Sequence, residues 1–330
     1  MKTIAFIGTG GTISSIGRNT LDITDYGANK TMWAADAIVA EVPELADVAK
    51  VLPIKYRHVG SPQIYFDDWK ELGLMCDRLV AEIPDLAGIV IGHGTATLEE
   101  TAYALGLTIK VNIPVVVVGS QRPLSALSTD ARLNLVAAVR VACDPASVGR
   151  GVLVVLNDEI HAAREVTKTS TFRLQTFRAP DFGILGYVDG DKVQYYRRTE
   201  RRIAPDTEFD LRPLSALPRV DVSYAYAGAD GTDIRAFTAA GAKGIVSAGF
   251  APGMTTDGQI AALLEARKAG VVVVQATRVG SGVTLDGHRM VELDFVPSDN
   301  LNPQKARILL ALALTQGTDI QNIRRIFATY

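Results

Sequence analysis

Short runs of β-branched and other apolar residues recur along this 330-residue chain, each leading into a glycine-containing turn and then a helix-like stretch. Residues 3–7, 88–91, 115–118 and 151–156 are the clearest cases, and Val115-Val116-Val117-Val118 shows no polar alternation at all. A strand that is apolar at every position is buried on both faces, which a parallel sheet with helices above and below it achieves. The expected fold class is therefore α/β, with a larger N-terminal doubly wound, flavodoxin-like parallel sheet. The alternation resumes with strands at 220–226, 244–248 and 271–276 and helices at 233–240 and 259–269, giving a smaller C-terminal α/β domain. A last helix is expected over 303–315, opened by Pro303 and apolar at helical spacing in Ile308, Leu309, Leu312 and Ala313.

Between these parts, residues 195–218 carry Arg197-Arg198, Arg201-Arg202, Pro205, Pro213 and Pro218 without any periodicity, and read as a linker. The expected layout is a catalytic α/β domain over 1–194, the linker over 195–218 and the C-terminal domain over 219–330. The length supports this division, since single cores usually serve ~100–200 residues.

A formal net charge of −2 offers no basic field for nucleic acid or anionic lipid, so a small-molecule partner is expected. No apolar run approaches the ~18 residues that span a bilayer. The first expected strand begins almost at Met1, which leaves no room for a secretory signal and points to the cytoplasm. Cys76 and Cys143 sit far apart in apolar stretches and read as buried free thiols. His58, His93, His161 and His288 share no metal-ligand spacing, so neither a metal nor a cofactor is expected.

In a parallel sheet the ligand site lies where the strands end at their carboxyl edge, which here means loops 8–15, 92–97, 119–123 and 157–168. The first, Gly8-Thr9-Gly10-Gly11-Thr12, fits a dinucleotide site poorly: Ile13 stands where that spacing needs a small residue. Its glycines still permit close backbone approach, and they place the Thr12 hydroxyl where amide N–H groups can receive an oxyanion; the hydroxyl can be a helix cap or a nucleophile. The second loop ends in Thr97-Leu98-Glu99-Glu100, a capping-box pattern that assigns Thr97 to structure. Thr95 precedes the helix, where the positive end of the dipole favours negative charge. Lys168 is a solvated lysine or, if desolvated beside a threonine hydroxyl, a base.

Four separated motifs then carry a resemblance: Thr9-Gly10-Gly11-Thr12-Ile13, His93-Gly94-Thr95, Asn157-Asp158-Glu159-Ile160-His161 with Thr167-Lys168-Thr169, and Leu301-Asn302-Pro303-Gln304-Lys305-Ala306-Arg307. In this order, over essentially the whole length, the chain resembles the bacterial asparaginase family. The resemblance implies two-domain subunits in a homotetramer with sites at subunit interfaces, no cofactor, and hydrolysis of a small amide through an acyl-enzyme. It assigns the nucleophile to Thr12, its activation to Tyr26 on a mobile segment between Asp22 and Lys30, and a second activating pair to Thr95 and Lys168. Ser61 matches the serine that holds the substrate's α-carboxylate, and Gly11, Pro62, Gly94 and Ala96 line the same substrate pocket.

The chain departs from the family pattern at several of these places. The usual His-Gly-Thr-Asp-Thr has Ala96 in place of the aspartate that holds the substrate's α-amino group, and Pro62 stands where glutamine is common. Ala248-Gly249-Phe250-Ala251-Pro252-Gly253-Met254 lacks the asparagine that the family's loop lends to a neighbouring site, and Asp286 and Glu292 are unaligned candidates for a donated acid. Each clear loss removes a polar contact to an ammonium group, which favours a carboxamide, cyclic imide or lactam without an α-amino group. An L-asparaginase despite Ala96, and a weakly catalytic ligand-binding module, are the alternatives.

Overall fold

The computed structural model describes residues 1–29 and 31–330 and divides them into two compact units, Met1–Arg212 and Pro213–Tyr330. Unit 1 is built on strands β1 (Thr3–Gly10), β2 (Lys50–Val59), β3 (Leu86–Gly92), β4 (Val115–Val118), β5 (Val152–Leu156) and β6 (Glu159–Ala162). A two-stranded ribbon of β7 (Thr167–Lys168) and β8 (Phe177–Arg178) follows, then β9 (Gly186–Asp189) and β10 (Lys192–Tyr195). The main sheet runs β10-β9-β6-β5-β4-β3-β1-β2, parallel from β5 to β2 and antiparallel in the extension through β6, β9 and β10. The parallel part is the flavodoxin-like order, in which the sequence of strands across the sheet switches sides between β1 and β3.

Period-two alternation assigns the side chains of this sheet to two cores. Ile4 and Phe6 of β1, Val116 and Val118 of β4 and Leu153 and Val155 of β5 pack with α1 (Ala35–Ala40) and α4 (Ala131–Cys143). The intervening Ala5, Ile7, Val115, Val117, Val152 and Val154 pack with α2 (Phe66–Glu82) and α3 (Leu98–Thr108). Each fully buried Val, Leu, Ile or Phe contributes ~1.5–3 kcal/mol, so both cores strongly hold the carboxyl ends of β1 and β3 side by side. Cys76 is fully buried within α2, but Cys143, at the end of α4, is only half-buried, because the helix ends there and the chain turns back toward the surface.

The stretch expected to be a linker is not a free tether. Up to Arg212 it packs within unit 1: Lys110 donates to the carbonyls of Pro205 (3.1 Å) and Thr207 (2.8 Å), Ala204 N–H to that of Gly106 (2.9 Å), and Phe209 and Leu211 are buried. Its prolines and charges hid this, because the anchoring bonds come from backbone carbonyls that carry no signature in a hydropathy pattern.

Unit 2 carries a parallel sheet in the order β11 (Val220–Tyr224), β12 (Gly244–Gly249), β13 (Val272–Thr277) and β14 (Val296–Pro297). Helices α5 (Thr232–Ala239) and α6 (Asp257–Lys268) cover one face around Ile245, Leu263, Val273 and Phe295, with the short α7 (His288–Glu292) beside β14. On the other face lies α8 (Pro303–Ala313), where Gly244 leaves room for Leu310: a Cβ at Gly244 would sit 2.6 Å from its Cδ2. This helix was expected to be the last, but a further amphipathic helix, α9 (Ile320–Thr329), follows. It is capped by Asp319, whose carboxylate accepts from Asn322 N–H (2.9 Å), and it buries Ile323, Ile326 and Phe327.

Candidate active site

Strands β1 and β3 run parallel with Gly8 opposite Gly92, and their exits lie at the switch point where helix N-termini and loops converge. Beyond Gly8 the chain passes through Gly10 and Gly11 at φ 110° and 80°, then a 3-10 turn over Thr12–Ser14 locked by Ser15 Oγ donating to Gly11 O (2.9 Å). The positive φ at Gly11 is the region glycine enters without strain. Packing imposes a second requirement: a Cβ on Gly11 would lie 2.1 Å from Gly94 Cα, and one on Gly94 would lie 2.9 Å from Ser61 Oγ. The first two loops therefore touch through bare backbone, with the Ser61 side chain packed against Gly94 from a third.

On the first loop, Thr12 is half-buried and its Oγ1 lies 3.0 Å from the hydroxyl of Tyr26. Tyr26 opens the 3-10 turn Tyr26–Asn29, and the preceding residues are pinned by the buried Asp22. The Asp22 carboxylate accepts from the backbone N–H of Arg18 (3.0 Å) and of Asp25 (3.0 Å), with the Arg18 guanidinium 3.3 Å away. The Arg18 backbone bond, with help from the Asp25 N–H and the Arg18 guanidinium, holds that carboxyl below its usual range against the opposing pull of burial. The segment's far end, Lys30, lies outside the described residues.

On the second loop Thr95 is buried, and Lys168 Nζ donates to its Oγ1 at 2.8 Å. Lys168 is held by pairing of β7 with β8 and by its own N–H donating to Glu99 Oε2 at 3.2 Å. Burial pushes the Lys168 ammonium below the ordinary lysine range, and the Glu99 carboxylate pulls it partly back. Sequence reasoning missed Glu99 by absorbing it into a capping pattern; the available signal was a carboxylate one helical turn beyond Thr95. Asp22 was likewise named only as a segment boundary.

The capping box expected at Thr97 does not form. Thr97 makes no side-chain cap; its hydroxyl donates instead to Ser61 O (2.7 Å) and its N–H donates to Ser61 Oγ (3.3 Å). Thr97 remains structural, but it ties two loops together: its hydroxyl donates to Ser61 O instead of accepting from a helix N–H. Ser61 itself is buried, while Pro62 and Ala96 are exposed and bring no hydrogen-bonding side chain. His93 is fully buried, donates through Nδ1 to Gly94 O (2.8 Å), and is held neutral by burial at a pKa of about 4.

In unit 2, Phe250 faces the Arg278 guanidinium at 4.9 Å from its ring centre, and Tyr224 lies on the same cation at 5.6 Å. Asp286 pairs with Arg324 at 2.7 Å. Among the described residues no cluster of three or more His, Cys, Asp or Glu side chains is placed to hold a metal, and no helix is long and apolar enough to cross a membrane.

Comparison with known proteins matches both parts of the chain. A family profile described as Asparaginase, N-terminal covers residues 3–201, and one described as Glutaminase/Asparaginase C-terminal domain covers residues 219–327. The probable periplasmic L-asparaginase of Haemophilus influenzae is 41% identical over all of this chain and 93% of its own length. L-asparaginase 2 of Escherichia coli is 40% identical, over 100% and 94%, and the glutaminase-asparaginase of Pseudomonas fluorescens 38% identical, over 100% and 91%. The crystal structure of a probable cytoplasmic L-asparaginase from Campylobacter jejuni superposes with a TM-score of 0.95 at 37% identity, covering both chains completely. Fold and sequence thus define a two-domain α/β hydrolase acting on non-peptide C–N bonds, an asparaginase-type amidohydrolase. The chain belongs to the asparaginase family.

Proposed function

We propose that this amidohydrolase cleaves the carboxamide of a small carboxylate substrate that lacks an α-amino group, releasing ammonia through a threonyl acyl-enzyme on Thr12. One observation carries the reading: the Thr12–Tyr26 pair at 3.0 Å and the Thr95–Lys168 pair at 2.8 Å extend from the two loops joined at Gly11 and Gly94. Thr12 Oγ attacks the amide carbon while its proton passes to the Tyr26 oxygen and the Tyr26 proton moves on to the departing nitrogen. The oxyanion is received by N–H groups of the glycine turn. Ammonia leaves as the C–N bond breaks. Water, deprotonated through Thr95 and a neutral Lys168, then opens the ester, returning the proton to Thr12 and releasing the carboxylate product.

Ser61 is the residue read as holding the substrate carboxylate. At Ala96 and Pro62 the site offers no partner to an ammonium group, whose charge-assisted hydrogen bond contributes ~1.5–3 kcal/mol, or roughly ten- to a hundredfold in affinity. Steady-state ammonia release from asparagine, glutamine and succinamate tests this. Succinamate is expected to have a kcat/KM at least ~10-fold above asparagine, and Ala96→Asp to shift the preference back toward asparagine. Efficient asparagine turnover at sub-millimolar KM would contradict the reading and place the chain with the L-asparaginases named among its relatives. The same sample is expected to scatter light as a homotetramer of the 35.3 kDa chain; a monomer would remove the shared-site part of the reading.

A further inference from the structure

The segment that carries Tyr26 is closed at its base and tethered from outside. Ser15 pairs antiparallel with Met32, Ile16 N–H donates to Thr31 O (3.1 Å) and Trp33 N–H to Ser14 O (2.7 Å), so the chain departs and returns at one neck, as in an Ω-loop. Just beyond the neck, Gly17 N–H donates to Ser125 Oγ (2.9 Å) and Leu127 N–H donates to Thr20 O (2.7 Å). Both tethers belong to the loop that follows β4, and that loop is fixed independently. The Asp130 carboxylate accepts from the N–H groups of Gln121 and Arg122 (2.9 Å each), while Asn134 of α4 donates from Nδ2 to Gly119 O and to Asp130 Oδ2 (3.0 Å each). Ala126 N–H closes the turn on Pro123 O (2.9 Å). Main-chain donors on a carboxylate make the stronger kind of hydrogen bond, so the packed helix α4 sets where Ser125 and Leu127 stand.

Asp22 carries this placement onward to Tyr26. It is buried, its Oδ2 accepts from Arg18 N–H and its Oδ1 from Asp25 N–H, so one carboxylate bridges the tethered stretch and the residue next to Tyr26. Gly17 packs directly on it: a Cβ there would lie 3.0 Å from Asp22 Cβ. An asparagine at this position has a single oxygen and so keeps only one side of the bridge. We infer that Asp22 and Ser125 are positioning residues for the amidase step, holding the Tyr26 hydroxyl 3.0 Å from Thr12 Oγ1 before substrate arrives. They act through Tyr26 alone, so the inference rests on the role proposed for that tyrosine. A proton-transfer partner fixed in advance spares the reaction the cost of ordering it, and a small misplacement is costly.

3-Fluorotyrosine placed at position 26 of the full-length protein gives one 19F signal to follow among the 10 tyrosines. With no other change a single narrow line is expected. Asp22→Asn is expected to shift and broaden it, and Ser125→Ala to do so to a smaller degree, because the Leu127–Thr20 bond remains. Ammonia release from whichever of asparagine, glutamine and succinamate is turned over best gives the second readout. Asp22→Asn is expected to lower kcat ~10-fold or more with KM held within ~2-fold, and to lower it no further in a Tyr26→Phe background. A residue with a merely structural role would lower activity in both backgrounds. A 19F line unmoved in both Asp22→Asn and Ser125→Ala, or an equal loss of kcat with and without the Tyr26 hydroxyl, overturns the inference. Wild-type kcat in Tyr26→Phe overturns instead the role of Tyr26 on which it rests.

Discussion

Lys168 is useful as a base only in its neutral form, and its surroundings decide how much of that form exists. Burial lowers its pKa, while Glu99 raises it in opposition. On the proposed mechanism kcat rises with pH through a lysine pKa displaced below the ordinary range. Removing the Glu99 charge by Glu99→Gln lowers that pKa further, so the acid limb of the pH–kcat profile is expected to move to lower pH. Lys168→Arg keeps a cation beside Thr95 but cannot deprotonate, and is expected to cost ~10²–10⁴-fold in kcat. An unmoved acid limb in Glu99→Gln together with an active Lys168→Arg would exclude Lys168 as the base. Ala96 belongs to the same scale: on the proposed reading the aspartate it replaces would hold an ammonium group and polarise the Thr95–Lys168 pair, so its absence bears on both binding and rate.

At the scale of elements, the cluster depends on the backbone contact between the turn after β1 and the turn after β3. Gly11→Ala would add a strained φ and a Cβ 2.1 Å from Gly94 Cα. The expected result is a destabilisation of ~1–3 kcal/mol, read by urea unfolding, with a loss of activity beyond what the unfolded fraction explains; wild-type kcat in Gly11→Ala would show the contact to be dispensable. The strands feeding these turns were legible because β1, β3, β4 and β5 are buried on both faces and read as unbroken apolar runs. By contrast β2, Lys50–Val59, went unnoticed: as an edge strand it is half exposed and tolerates Pro53, so neither alternation nor an apolar run marks it. The antiparallel strands β6, β9 and β10 are four residues each, too short for a periodic signal. Ser61–Thr97 and Glu99–Lys168 were illegible for another reason: they join residues 36 and 69 positions apart, a pairing that only the folded sheet creates.

Across the whole molecule, unit 1 alone supplies Thr12, Tyr26, Thr95, Lys168 and Ser61, and the family match extends over both units. What the motifs conveyed from sequence was the reaction class; the geometry added a hydroxyl–hydroxyl pair and a hydroxyl–ammonium pair extending from loops in contact, the two pairs that the proposed acyl transfer would use. On the proposed mechanism one of these hydroxyls, that of Thr12, becomes covalently acylated. The most direct measurement is intact-protein mass spectrometry on an acid quench taken during steady-state turnover of succinamate, followed by peptide mapping. The expected result is a mass gain equal to the succinyl group, located on the peptide containing Thr12, alkali-labile as an ester and absent from Thr12→Ala. Ammonia release at the wild-type rate from Thr12→Ala, or an acyl group mapped to any residue other than Thr12, would contradict it.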